Sequence, residues 1–133
     1  MMRNLTVALC LAATLVACDK VEHTLDGKWQ LETVEADGEI QVVDTVWYNF
    51  QTSLFQYQLY DAAHDVYRSN YGYKTLVEDT RLELELVTYG QPVESFLPYT
   101  DWTAPKRTFT IEESSATRLV LSDDGKRYSF KKF

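Results

Sequence analysis

From Leu25 onward the chain alternates apolar and polar side chains with a period of two, the rhythm of strands that bury one face and wet the other. In GKWQLETV, Trp29 and Leu31 fall on one face, with Lys28, Gln30 and Glu32 on the other. SLFQYQLY sets Phe55, Tyr57 and Leu59 against Gln56 and Gln58, and TRLELELV sets Leu82, Leu84 and Leu86 against Arg81, Glu83 and Glu85. KRTFTIEE contributes Phe109 and Ile111, TRLVLSD contributes Leu119 and Leu121, and KRYSFKKF contributes Tyr128 and Phe130. A helix would bring apolar residues together at spacings of three and four, and none of these segments does so.

The turns agree. ADGE at 36–39 and DDGK at 123–126 carry Asp-Gly pairs, in which glycine supplies the positive φ of a tight hairpin, and YDAAHD at 60–65 reads as a looser connection. Eight strands are expected near 27–34, 40–50, 53–60, 65–76, 80–88, 106–113, 117–122 and 126–132. The span 89–105, YGQPVESFLPYTDWTAP, holds all three prolines and is the one long irregular segment, with a turn of helix expected at 93–97. An all-β, up-and-down antiparallel barrel of about eight strands is the most economical closure, because it removes exposed edges; a β-sandwich is the alternative.

The first residues follow another rhythm. Leu5 to Val16 is a run of mostly apolar side chains preceded by Arg3 as the only charge. A spanning helix needs about 20 apolar residues, so this run fits the hydrophobic region of a secretory signal instead. Its end, Leu15-Val16-Ala17-Cys18, resembles the lipobox of bacterial lipoproteins, in which the cysteine is acylated and becomes the new first residue. The expected organisation is a signal peptide at 1–17, a lipid-anchored tether at 18–24 and one barrel domain at 25–133, with Cys18 joining the protein to the lipid bilayer of the cell envelope. Asp19 resembles an inner-membrane retention signal, while DKVE loosely matches a surface-export signal, so a periplasmic and a surface-exposed location both stay open.

Processing would leave 116 residues, the size of one domain with one core. Cys10 would be lost with the signal, so no disulfide supports that core and packing alone must hold it. Arg3 leaves too, so twelve basic side chains face twenty acidic ones and the formal charge becomes −8. That sign argues against nucleic acid and against adhesion to anionic lipid by charge, which leaves acyl chains as the membrane link.

The opening LDGKWQL, with Gly27, Trp29 and Leu31, resembles the Gly-x-Trp start of lipocalin-like (calycin-like) proteins. The ending TFTIEESSATRLVLSDDGKRYSFKKF is similar to the last strands of the small lipocalin-like lipoproteins of Bacteroidetes. The resemblance implies a barrel with the tryptophan closing one end, and a binding rather than a catalytic role. The chain departs from a true lipocalin in lacking a visible flanking helix and a cysteine pair.

Residues for catalysis are few. His23 falls in the tether, and His64, beside Asp61 and Asp65, reads as a solvated hairpin tip, since a zinc site takes at least three protein ligands in defined geometry. No glycine-rich phosphate loop is present, and neither a cofactor nor a metal is expected. Aromatic residues, in contrast, are plentiful: nine tyrosines, six phenylalanines and three tryptophans. Tyr67, Tyr71 and Tyr73 share strand parity and so one face, and Tyr57 is expected across a hairpin from them. With Trp29 they are the candidate lining of a site for a small hydrophobic or aromatic ligand; the alternatives are rings that fill the interior and rings on an exposed binding face. Phe96, Tyr99 and Trp102 in the 89–105 loop are expected to plug one end of the barrel or to contact an envelope protein partner.

Overall fold

The structure is a computed structural model that describes residues 24–133. The expectations for the signal at 1–17, for Cys18 and for the tether up to His23 lie outside the described residues.

Nine strands form among the described residues: β1 (Gly27–Ala36), β2 (Glu39–Val42), β3 (Val46–Gln51), β4 (Leu54–Asp61), β5 (Val66–Val77), β6 (Arg81–Leu86), β7 (Lys106–Ser114), β8 (Arg118–Asp123) and β9 (Lys126–Lys132). Every pairing is antiparallel, and β1 pairs with β9, so the sheet closes on itself as an eight-stranded up-and-down barrel. The sandwich alternative is thereby excluded.

The expected strand 40–50 is two strands, because the chain breaks pairing at 43–45. The first half of β1 pairs with β3, from Gly27 opposite Phe50 to Gln30 opposite Trp47. Its second half pairs with β2, from Thr33 opposite Val42 to Ala36 opposite Glu39. A β-bulge between Leu31 and Thr33 in the β1–β9 ladder marks the change. All four residues of β2 are exposed, so the β1–β2 hairpin stands beyond the barrel wall as a flap. Both Asp-Gly turns form as expected, with positive φ at Asp37 and Gly38 and again at Asp124 and Gly125.

The connections sort into two ends. The β3–β4, β5–β6 and β7–β8 turns lie with the start of β1 at one end. The β1–β2, β4–β5 and β8–β9 hairpins and the 87–105 connection lie at the other. The first end is sealed: Leu25 and Trp29 are fully buried, and the Trp29 Nε1–H donates to the Leu25 carbonyl at 2.9 Å. Lys132 Nζ lies 4.5 Å from the centre of the Trp29 ring and donates to the Asp26 carbonyl. Trp29 therefore closes one end, as the Gly-x-Trp resemblance implies.

Aromatic rings fill the interior. Tyr48 lies 4.9–6.4 Å, centre to centre, from the rings of Phe50, Phe55, Tyr57, Trp102, Phe109 and Phe130, all of which are buried. Burial of each such ring contributes about 1.5–3 kcal/mol, so a disulfide-free core of this size can hold by packing.

Candidate functional site

At the end opposite Trp29 the long connection folds inward. Two single-turn 3₁₀ helices, Val93–Ser95 and Leu97–Tyr99, replace the expected turn at 93–97. Val93, Phe96 and Trp102 are buried in the core. Trp102 stacks on Phe55 at 6.0 Å, and its Nε1–H donates to the Tyr48 hydroxyl at 3.0 Å. Phe96 meets the Tyr57 ring edge-on at 5.4 Å. Phe96 and Trp102 therefore act as a plug, and burial withdraws both from contact with a partner. Tyr99 stays 45% exposed, with the Arg68 guanidinium 4.1 Å from its ring centre.

The plug fills only part of the mouth. Beside it lies a crevice of about 220 Å³ between the β1–β2 flap and the loop. Leu31, Val34, Val43 and Val46 form its aliphatic wall, Tyr48, Tyr57 and Tyr128 its inner side, and Asp101 and Lys126 stand at its rim. The Tyr128 hydroxyl donates to the Asp101 carboxylate and accepts from Arg107 Nη2 at 2.7 Å. Arg107 also binds Asp101 at 3.1 Å and Asp123 at 2.9 Å, so one guanidinium fixes the loop, β8 and β9 together.

These surroundings keep the phenols neutral. Burial first, then the Asp101 carboxylate, push the Tyr57 hydroxyl far above its ordinary value. Burial likewise raises Tyr48 strongly. Tyr128 is pushed up to about 12 by burial and by its bond to Asp101. All three are hydrogen-bonding hydroxyls rather than bases at neutral pH.

Of the ligand-site residues expected from sequence, only Tyr57 reaches this crevice, and it is joined there by Tyr99 from the loop. Trp29 is sealed beneath the opposite end. Tyr67, Tyr71 and Tyr73 face outward, 65%, 51% and 54% exposed. Register is the reason: Tyr57 pairs with Asn70, and directly paired residues share a face, so the even positions of β5 point inward. Those inner positions are Arg68, Asn70, Gly72 and Lys74, an inversion of the usual pattern that local partners support. Arg68 is paired with Asp61 at 3.0 Å, and the Asn70 amide donates to the Val87 carbonyl at 2.9 Å. Tyr71 and Tyr73, with Leu54, Val87 and Tyr89, border an open apolar groove of about 350 Å³ on the barrel wall.

His64 occupies the exposed β4–β5 turn, 2.8 Å from Asp61, whose carboxyl is held below its usual range first by that bond and then by Arg68. Among the described residues no three His, Cys, Asp or Glu side chains converge as a metal site would require.

The lipocalin-like domain model matches residues 13–133. The chain belongs to the lipocalin-like domain family. A crystal structure of a lipocalin-like protein from Bacteroides uniformis matches at 29% identity with a TM-score of 0.72, over 83% of this chain and 99% of that one. A crystal structure of an uncharacterised protein from Bacteroides eggerthii matches at 27% identity and a TM-score of 0.66, over 82% and 99%. No curated protein matches the chain. Aromatic rings fill the interior, and the crevice lies at the mouth above them.

Proposed function

We propose that this protein is a lipid-anchored lipoprotein of the bacterial cell envelope whose lipocalin-like barrel binds a small hydrophobic or aromatic ligand at its mouth and catalyses no reaction. The observation that carries the ligand half is the crevice itself, an apolar recess with tyrosine hydroxyls within and charge only at its rim. Its volume suits a single ring or a short chain rather than a long lipid. The anchor half rests on the Leu15-Val16-Ala17-Cys18 pattern. A tether from Cys18 would enter at the end sealed by Trp29 and hold the mouth on the side away from the bilayer.

The test is native mass spectrometry of residues 19–133 purified from the envelope of the source bacterium. A retained molecule of definite mass that is lost when Val46→Trp fills the crevice supports the proposal. An empty domain, unchanged after incubation with envelope extract, sinks the ligand half.

A second reading is favoured by one observation, the outward groove bordered by Leu54, Tyr71, Tyr73 and Tyr89, each more than half exposed. Exposed tyrosines of this kind are frequent interface anchors, and the protein would then be an accessory subunit of an envelope complex, with Tyr99 on the rim loop as a further contact. Tyr71→Ser with Tyr73→Ser would abolish crosslinking to the rest of that complex in intact cells while leaving the mouth ligand bound.

A further inference from the structure

Within the crevice the polar groups are not equally occupied. The Tyr128 hydroxyl both donates and accepts. The Tyr48 hydroxyl accepts from Trp102, but its own proton has no acceptor among the described residues. Tyr57 has no hydrogen bond at all among the described residues, although it is only 3% exposed. It points inward from β4, so what little of it solvent reaches must be reached through the mouth. The two tyrosine rings stand 5.0 Å apart, side by side beneath the aliphatic wall. The Tyr57 oxygen is open to the crevice rather than sealed in the core, so its proton is left for a water or a ligand oxygen there to accept.

We infer that the crevice takes a small uncharged molecule with an apolar body and a carbonyl-type oxygen, and that the Tyr57 hydroxyl, seconded by Tyr48, donates to that oxygen. This rests on the mouth-binding reading and deepens it. Charge balance argues for a neutral group. Asp101 and Arg107 act on the Tyr48 and Tyr57 hydroxyls with opposite signs, and the remaining lining charge, Lys126, stands at the rim rather than beside them. Raised as they are, both phenols remain donors across the physiological range. The aliphatic wall of Leu31, Val34, Val43 and Val46 would cover the apolar body, and the ketone would replace water on Tyr57 without loss of a bond.

The experiment compares acetophenone with ethylbenzene, rings of similar size with and without the oxygen, by calorimetric titration of residues 19–133. The B. uniformis relative, 99% of whose chain lies within the match, is a folded barrel of that extent. Acetophenone should bind the more tightly, and Tyr57→Phe, which keeps the ring and removes the hydroxyl, should weaken it about tenfold while ethylbenzene changes less than about twofold. Val46→Trp should exclude both probes. Tyr57→Phe leaving acetophenone unchanged, or weakening both probes equally, overturns the inference while the mouth reading stands. Failure of both probes to bind the unaltered domain overturns the mouth reading and the inference with it.

Discussion

The indole nitrogen of Trp102 donates to the hydroxyl of Tyr48 at 3.0 Å, tying the loop over the mouth to a side chain 54 positions earlier at the centre of the barrel. This bond is buried at both ends, so either partner is expensive to lose. Tyr48→Phe keeps the ring but strands the indole N–H, and should lower unfolding free energy by about 1–3 kcal/mol. Trp102→Ala removes the plug and should lower it by about 3–5 kcal/mol. Urea denaturation checks both. A Tyr48→Phe variant as stable as the parent would mean that the loop is held by packing alone.

Gly72 makes a different kind of demand. A Cβ at this position would stand 1.8 Å from the carbonyl oxygen of Glu85 and 2.9 Å from the Leu86 Cα, both backbone atoms of the paired strand. No rotamer can relieve such a clash, so β5 and β6 would have to separate. Gly72→Ala should destabilise by about 3 kcal/mol, whereas Ser69→Ala, on the outer face of the same strand, should change stability by less than about 0.5 kcal/mol. Equal effects in thermal melts would refute the close approach.

Gly72 also shows where sequence reading stops. The barrel was legible because the segments at β1, β4, β6, β7, β8 and β9 alternate apolar and polar positions, and two Asp-Gly turns mark the β1–β2 and β8–β9 hairpins. In β5 the same alternation was visible but its sense was not. Tyr67, Tyr71 and Tyr73 are the larger and more apolar set, and only the pairing of Tyr57 with Asn70 shows that they face outward. Parity along a strand says which side chains share a face, and register with a neighbour says which face that is. The mouth was hidden for a related reason. Leu31, Val34, Val43, Val46, Tyr48, Asp101, Lys126 and Tyr128 come from distant parts of the chain, and read singly they resemble ordinary core or rim residues. Tyr57 was found because it belongs to the aromatic cluster on β4. The plug at Phe96 and Trp102 was legible because four large apolar groups in a proline-bearing loop have little else to do than cover a core.

Alkaline titration separates the inner tyrosines from solvent. Tyr128 is raised from 10.0 to about 12, and Tyr48 and Tyr57 are raised further. In each case the folded protein holds its proton more tightly than the unfolded chain does. The stability these groups contribute is therefore intact below pH 10 and falls as pH rises toward and through the folded values. At about pH 11 the native protein should show a smaller tyrosinate absorbance than the same protein in guanidinium, because free tyrosine titrates near 10. Tyr128→Phe should narrow that gap by about one tyrosine. Coincident titration curves in buffer and in denaturant would contradict the burial of all three hydroxyls.

Lys74 tests the sealed end. Its side chain is 4% exposed, and its Nζ lies 3.6 Å from the Asp26 carboxylate and 5.7 Å from the Phe50 ring centre, with no hydrogen bond among the described residues. At that distance and without a hydrogen bond, the attraction does little more than offset the cost of burying the charge. Lys74→Met, which keeps the length and removes the charge, should leave stability unchanged or raise it by about 1 kcal/mol. A loss of about 2 kcal/mol or more on chemical denaturation would show the ion pair to be a net stabiliser.

The proposed lipid attachment is separable from everything in the barrel. Thr24 Oγ1 lies 3.1 Å from Ser114 Oγ, and Leu25 is fully buried, so the chain joins the domain at the end away from the mouth. Changes at Cys18 should then leave the fold and the crevice untouched. With Cys18→Ala, incorporation of labelled palmitate should vanish and the unprocessed precursor should accumulate, because the thiol is the acyl acceptor and its acylation precedes cleavage in the lipobox scheme. Two or more acyl chains bury enough methylenes, at roughly 0.8 kcal/mol each, to make the anchor effectively permanent, so the unaltered protein should stay with membranes through a high-salt wash. Release by salt would point to an electrostatic contact instead, which the acidic charge of the domain already disfavours. Persistent palmitate labelling of the alanine variant would remove the lipobox reading and leave the location of the barrel to be found by other means.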